Sequence, residues 1–196
     1  KRNAYRDYGS FCSNRYCGFG GSAPATPYLI PWANSLFEDN AEFALGMKLS
    51  FNEKRKRIES IMEYSIDSVD SDVKKLYQEW LDNKDNFEIT NSIKEKLSHQ
   101  IIPKDLNDLL NYVPSNSVWA IGGDGWAYDI GYGGLDHVLH TNENIKVLVL
   151  DTEVYSNTGG QSSKATKLGA VAEFANMGKR TGKKDLFRVA MAIPNC

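Results

Sequence analysis

Apolar positions are spaced in three different ways along the chain. Over residues 48–114 they recur with a helical period among many charges. Val73, Leu76, Tyr77, Trp80 and Leu81 fall at i, i+3, i+4, i+7 and i+8, one face of an amphipathic helix. Asp70 or Ser71 is suited to cap it. Ile58, Ile61 and Met62 form a shorter stripe behind the basic run KRKR, residues 54–57. From 115 onward the texture changes. SVWAI (117–121), NIKVLVLD (144–151) and FRVAMAI (187–193) are short continuous apolar runs, the pattern of strands buried on both faces of a parallel sheet. Between them, 130–140 reads as a helix with Leu135, Val138 and Leu139 inward, and a second helix is expected around 169–177. Strand–helix–strand–helix–strand predicts an α/β fold with a parallel sheet and right-handed crossovers. Residues 1–47 are rich in Gly, Pro and aromatics without a sustained period, and GFGGSAPATPYLIP reads as ordered loop. The expected organisation is an irregular N-terminal part (1–47), a charged helical insert (48–114) and an α/β core (115–196).

Composition narrows the function classes. The 196 residues are 41% hydrophobic and 24% charged, as in a soluble globular protein long enough to bury a core. A net charge of -2 gives no electrostatic case for nucleic acid or an anionic membrane. Acids follow KRKR at once, so a solvated helix face is expected there. No apolar run approaches the roughly 20 residues of a membrane span. The first residues, KRNAYRDYGSFC, lack the apolar region of a secretory signal. Three cysteines, Cys12, Cys17 and Cys196, are too few and too irregular for a disulfide scaffold and fit a reducing compartment.

Candidate chemistry sits at the strand ends, where ligands of open parallel sheets collect. The stretch GGDGWAYDIGYGG, 122–134, places Asp124 among six glycines directly after the first strand. A dinucleotide fingerprint would need a third glycine where Tyr128 stands, and a phosphate-binding G-K-[ST] is absent. An ordinary glycine–acid–glycine turn and a metal–diphosphate site both remain open from this loop alone. The loop after the second strand, DTEVYSNTGGQ, favours the site. Twenty-eight residues beyond Asp124, Thr152 offers a hydroxyl and Val154 a backbone carbonyl; Asn157 and the Gly159–Gly160 pair add amides and close backbone approach. Mg²⁺ takes few hard oxygen donors from protein and the rest from phosphate, and bare glycine backbone lets N–H groups reach phosphate oxygens.

These strings carry a resemblance. GGDGWAYDIGYGGLDHVL and LDTEVYSNTGGQSSKAT, with GSAPATPY and PWANSLFEDNAEFALGM upstream, are similar to the thiamin diphosphate-binding domain of the 2-oxoacid:ferredoxin oxidoreductases, the pyruvate:ferredoxin (flavodoxin) type in particular. The likeness covers roughly residues 20–190 and implies a three-layer thiamin diphosphate-binding α/β fold. It implies Asp124, Thr152 and the Val154 carbonyl as Mg²⁺ ligands. Gly123, Asp124, Gly125 and Trp126, with Thr152, Glu153, Val154, Tyr155, Ser156 and Asn157, would contact the cofactor, and Asn157 would lie close to the reacting carbon. The implied activity is oxidative decarboxylation of pyruvate to acetyl-CoA and CO₂, with electrons passed through [4Fe–4S] clusters to ferredoxin or flavodoxin. The full enzyme would be a cytoplasmic homodimer, or in a eukaryote one of a hydrogenosome-like organelle, without nucleic-acid or membrane partners.

The cysteines depart from that pattern. The family places four cluster ligands in this domain, two of them as C-x-x-C. Here no C-x-x-C occurs, Cys12 and Cys17 stand at the wrong offset before Gly20–Gly21, and Cys196 follows the last apolar run too soon. The chain is therefore expected to be part of a larger multidomain protein, with Cys12, Cys17 or Cys196 as uncertain cluster ligands. A non-redox thiamin-dependent decarboxylase or synthase, and a truncated product that only binds cofactor or partner, are the alternatives. His137 and His140, at i and i+3 without a third ligand, are expected in surface or packing roles. Lys164, Lys179, Arg180, Lys183 and Lys184 are expected on a solvated surface rather than as a patch for an acidic partner or the coenzyme A phosphates. Trp126 is expected to touch cofactor, and the glycines 131–134 to permit close helix packing.

Overall fold

The computed structural model describes residues 38–155, 158–194 and 196, together with the backbone of two strands nearer the N-terminus. It is an α/β chain in two compact units: Met47–Asn116, and Ser117–Cys196 together with the described parts of Arg2–Gly46.

The second unit is built on a four-stranded parallel sheet. Strands β1 (Asp7–Cys12), β2 (Trp32–Asn34), β3 (Ser117–Gly122) and β4 (Ile145–Val149) are ordered β2-β1-β3-β4. Of the expected strands, 117–121 is β3 and the centre of 144–151 is β4. The other two were not expected as strands. β1 and β2 lie in the part read as irregular, because WAN is only three residues long and DYGSFC shows neither a strict alternation nor a continuous apolar run. They join through a ladder whose partners are distant: Cys12 pairs with Ile121 and Phe11 with Ala120.

The expected strand 187–193 is instead helix α7 (Leu186–Met191). The Asp185 side chain caps it by accepting the Arg188 N–H at 3.1 Å, a strong helix-start signal. Phe187 and Met191 remain exposed, so the apolar run fills no sheet interior. Nor is there a helix over 169–177. Gly169, Phe174 and Gly178 all have positive φ (79°, 63° and 82°), and reciprocal bonds Gly169 N–H to Lys179 O and Lys179 N–H to Ala170 O fold the segment back on itself. Left-handed residues at that density cannot continue an α-helix.

Helix α1 (Asn40–Ser65) begins eight residues before the zone read as helical. Asn40 is fully buried and its Nδ2 donates to the Ile121 carbonyl at 3.0 Å, tying this helix start to the end of β3. Ala41 and Ala44 join Val118, Ala120, Trp126, Ala127, Leu135 and Val138 in the core. Leu135 and Val138 come from α6 (Tyr132–His140), as its period predicts. Gly131 lets this helix start close in: a Cβ there would lie 2.4 Å from the Glu38 carbonyl oxygen and 2.8 Å from the Trp126 Cα.

The first unit carries its own core. Helix α2 (Ser71–Asp82) buries Val73, Leu76, Tyr77 and Trp80, while Asp70 holds the N-cap position without a side-chain capping bond. These pack with Ile58 and Met62 of α1, Ile93 and Leu97 of α3 (Phe87–Leu97), Leu106 of α4 (Lys104–Asn107) and Val113. The basic run is only half a solvated face. Lys56 and Arg57 form exposed ion pairs with Glu53 and Asp105. Arg55 points inward over the Trp80 ring and donates to the carbonyls of Val113 (2.7 Å), Tyr112 (3.3 Å) and Lys84. Three carbonyls at loop ends need a donor that reaches all of them, which a guanidinium does. Among the described residues no helix is long and apolar enough to cross a membrane.

Candidate cofactor and metal site

β3 and β4 end side by side, with Gly122 opposite Val149 and the Leu150 N–H bonded to the Gly122 carbonyl at 2.7 Å. Each strand hands the chain to one of the two loops singled out by sequence. Past β3, Gly123 precedes the short helix α5 (Asp124–Tyr128). Past β4, residues 151–153 lead into β5 (Val154–Tyr155), which pairs with β6 (Gln161–Ser162).

Asp124 is 2% exposed. Its Oδ1 accepts the Thr152 N–H at 3.1 Å and its Oδ2 accepts the Ser163 hydroxyl at 2.7 Å. Burial pushes its carboxyl above the usual range, with Asp151 acting in the same direction; the bonds from Ser163 and Thr152, and Lys183, oppose the rise without cancelling it. A dry carboxylate short of positive charge could be balanced by a cation. The Thr152 hydroxyl donates to the Val154 carbonyl at 2.9 Å. Both oxygens lie close together and would be available to one small cation beside Asp124. Carboxylate, hydroxyl and carbonyl are hard donors of the kind Mg²⁺ takes. The residues fit the ion. Among the described residues no group of three or more His, Cys, Asp or Glu is placed to hold a metal ion.

Between the two donors, Glu153 has φ +66°, a left-handed conformation that costs a non-glycine residue about 1 kcal/mol or more. Its carbonyl accepts the Thr166 hydroxyl. Its carboxylate pairs with Lys167 at 2.8 Å and lies 3.7 Å from Lys183. Lys167 holds that carboxyl below the usual range. Asp151 accepts the Tyr128 hydroxyl at 2.8 Å and Lys183 Nζ at 2.5 Å. Burial works to raise its carboxyl, but these two donors bring it below the ordinary value, while burial and Asp151 push the Tyr128 phenol up. Tyr155 is likewise pushed up, by burial and by its bond to Asp129.

The lysines expected at the surface are largely engaged with the site loops. Lys164 pairs with Asp129 at 3.0 Å, Lys184 lies 3.0 Å from the Tyr132 ring centroid, and Lys179 donates to the Ser163 and Thr166 carbonyls at 2.7 Å each. His137 and His140 are exposed, which selects the surface role.

The structure brings together Gly123, Asp124, Gly125, Trp126, Thr152, Glu153, Val154 and Tyr155. A Cβ on Gly125 would meet Glu38 Oε1 at 3.0 Å and Tyr155 Cε1 at 3.3 Å, so packing alone already favours glycine there. Trp126 is fully buried in the core, its Nε1 without a hydrogen-bond partner. Ser156, Asn157 and Cys17 lie outside the described residues, as does the Cys12 side chain; Cys196 is exposed and free. Ser163, Thr166 and Lys179 were not singled out as site residues. Ser163 and Thr166 were signalled by the hydroxyl-rich run QSSKAT, but spacing alone does not say which hydroxyl turns toward Asp124, and nothing local marks Lys179.

Residues 108–194 match the family model described as thiamine pyrophosphate enzyme, C-terminal TPP binding domain. That segment holds Asp124, both site loops and the turn that joins them. It is similar to the C-terminal TPP-binding domains of thiamine pyrophosphate enzymes. The chain is also 46% identical to a pyruvate:ferredoxin oxidoreductase of Moorella thermoacetica, over 89% of this chain and 17% of that protein. A pyruvate-flavodoxin oxidoreductase of Klebsiella pneumoniae is 46% identical over 90% of this chain and 16% of its own length. A mitochondrial pyruvate dehydrogenase [NADP(+)] of Euglena gracilis is 41% identical over 94% of this chain and 11% of its own. The chain spans about a sixth or less of the length of these relatives.

Proposed function

We propose that this chain supplies the magnesium–thiamin diphosphate site of a pyruvate:ferredoxin (flavodoxin) oxidoreductase. The whole protein would convert pyruvate and coenzyme A to acetyl-CoA and CO₂ and deliver electrons through iron–sulfur clusters to ferredoxin or flavodoxin. One observation carries the reading: the buried Asp124 carboxylate is bonded to Thr152, whose hydroxyl lies 2.9 Å from the Val154 carbonyl, inside a thiamine pyrophosphate-binding segment. The names of the relatives support pyruvate as the substrate and ferredoxin or flavodoxin as acceptor.

Thiamin diphosphate, when bound, supplies the electron sink for loss of CO₂ from a 2-oxo acid. The residues of this chain bind and orient. Asp124, Thr152 and the Val154 carbonyl would hold Mg²⁺. The backbone of Gly123–Trp126 and the segment from Thr152 through Asn157 would hold the cofactor, with Asn157 nearest the substrate carbon. Burial of Asp124 keeps water from competing for the metal, and the left-handed Glu153 keeps both of its neighbours' oxygens on one side. The homodimer, the coenzyme A site and a cytoplasmic or hydrogenosome-like location belong to the same proposal. We assign the clusters to no described residue of this chain.

Calorimetric titration with thiamin diphosphate, with and without Mg²⁺, tests the site. Asp124→Ala is expected to abolish Mg²⁺-dependent binding; unchanged affinity would sink the assignment. In the full-length enzyme, a low-potential dye is expected to be reduced with pyruvate and coenzyme A. Release of acetaldehyde or acetolactate without dye reduction would point to a non-redox decarboxylase or synthase.

A further inference from the structure

We propose that Ser163, Thr166 and Lys179 are positioning residues of this site, acting through Asp124 and Glu153 and touching neither metal nor cofactor. The inference rests on the assignment of Asp124, Thr152 and Val154 as metal donors.

Residues 163–166 form a tight turn immediately after β6. The Thr166 N–H bonds to the Ser163 carbonyl at 3.2 Å, and the Ser163 N–H bonds to Thr166 Oγ1 at 2.9 Å. Ser163 and Thr166 are 3% and 1% exposed, so their hydroxyls have protein partners alone to choose from. Each hydroxyl has one proton, and the contacts determine where it goes. Ser163 Oγ accepts the Ala165 N–H at 3.0 Å, which leaves its proton for Asp124 Oδ2 at 2.7 Å. Thr166 Oγ1 accepts the Ser163 N–H, which leaves its proton for the Glu153 carbonyl. The turn therefore grips both metal loops at once. It holds the carboxylate of one, and in the other the left-handed residue between the two remaining donors.

A turn carrying both grips needs its own anchor. The Lys179 ammonium supplies it by donating to the Ser163 and Thr166 carbonyls at 2.7 Å each. Those carbonyls open and close the turn, so one cation fixes its two ends. Lys179 is brought there by the fold-back of residues 169–179, where Gly169 N–H bonds to Lys179 O and Gly178 has φ +82°. With Oδ1 held by the Thr152 N–H and Oδ2 by Ser163, the carboxylate plane is set before any metal arrives. Residues one layer behind a metal are worth about 10- to 100-fold in its affinity through such orientation.

The test measures metal binding by the full chain and needs no turnover. Mg²⁺ is titrated calorimetrically at saturating thiamin diphosphate, and free Mn²⁺ is counted by EPR in a parallel titration. Ser163→Ala and Lys179→Met are each expected to weaken the metal by about 10-fold or more, with Lys179→Arg restoring it to within about threefold. Thr166→Val keeps the shape and loses the hydroxyl; it is expected to weaken the metal similarly, and Thr166→Ser to restore it. That pair decides the matter if circular dichroism shows Ser163→Ala unfolded. Asp124→Ala, run alongside, separates the two readings. If Asp124→Ala binds like the unsubstituted chain, the site assignment falls. If Asp124→Ala loses the metal while the folded Ser163, Thr166 and Lys179 variants keep it, the positioning roles are overturned and the site stands. Loss in Thr166→Ser or Lys179→Arg equal to that in Thr166→Val or Lys179→Met also overturns them, because packing and not the donated bonds would then be responsible.

Discussion

Replacing Asp124 by Asn removes a charge and keeps the shape, and the structure gives that change two opposite consequences. Without metal, the buried carboxyl sits above its ordinary range. The native state then holds a proton over a pH range where the unfolded chain has lost it. Stability therefore falls as pH rises from the unfolded value through the native one, and stays reduced above. Asn escapes this penalty. Against the gain, Asn offers one acceptor oxygen where the carboxylate offers two. With Oδ1 kept on the Thr152 N–H that bond weakens from charge-assisted to neutral, and the Ser163 contact must reverse, its Oγ accepting from Nδ2, at a cost of about 1 kcal/mol each. Taking a carboxylate out of water costs several kcal/mol, and the upward shift says that this term is the larger. At neutral pH without metal, Asp124→Asn is expected to be more stable by about 1 kcal/mol, or about 2–4 °C in Tm for a chain of this length. Addition of Mg²⁺ and thiamin diphosphate at about 100 times Kd stabilises the parent by about 2.7 kcal/mol, enough to reverse the order, and leaves Asp124→Asn unmoved. Differential scanning calorimetry at acidic and neutral pH, with and without both ligands, reads all four states. A metal-free Asp124→Asn less stable than the parent at neutral pH, or one with an equal ligand shift, refutes the reasoning.

Three further changes separate packing from chemistry. Gly131→Ala is expected to cost about 1–3 kcal/mol, because its Cβ meets the Glu38 backbone oxygen at 2.4 Å and the Trp126 Cα at 2.8 Å; a thermal midpoint within 1 °C of the parent, at a scale of about 2–4 °C per kcal/mol, would contradict this. Gly134→Ala is expected to be nearly neutral, although its Cβ falls 1.7 Å from Glu42 Oε1, since that is the free end of an exposed side chain able to swing away; a loss comparable to that of Gly131→Ala would show that it cannot. Arg55→Met leaves the Tyr112, Val113 and Lys84 carbonyls without their donor and is expected to cost the Met47–Asn116 unit about 2–4 kcal/mol. Hydrogen exchange resolved to that unit checks it, and unchanged protection there would refute the role given to Arg55.

The legible parts of the sequence were those whose signal is local. The stripe from Val73 to Leu81 gave α2, and NIKVLVLD gave β4. Asp124 and Thr152, 28 residues apart, were paired because each follows a recognisable strand, and the structure joins them by a bond of 3.1 Å. Features that depend on distant partners were not legible. DYGSFC is a strand because β2 and β3 flank it, and nothing within those six residues, which neither alternate nor form an apolar run, says so. FRVAMAI has the composition of a buried strand, but Asp185 just before it starts a helix, and the local capping bond prevails where no sheet edge is offered. Arg55 and Lys179 resemble their solvated neighbours in sequence; three carbonyls in one case and two in the other draw them in.

The loops that hold the site owe their order to polar bonds more than to apolar burial. Between Asp151 and Thr166, Ala165 is the one apolar side chain fully removed from water among the described residues, and β5 and β6 are two residues each. Hydrophobic contact is indifferent to direction, whereas a hydroxyl proton committed to one acceptor fixes an oxygen to within a few tenths of an ångström. A site that must present carboxylate, hydroxyl and carbonyl to a small cation needs that directional control. The cost is a carboxylate kept dry and a glutamate kept left-handed while no metal is bound. The Ser163–Thr166 turn and Lys179 supply the compensating bonds, and a bound cation would remove the remaining imbalance at Asp124. The same arrangement that makes Asp124 a liability in the metal-free chain would make it a strong ligand, which is why removing its charge is expected to raise stability and abolish binding together.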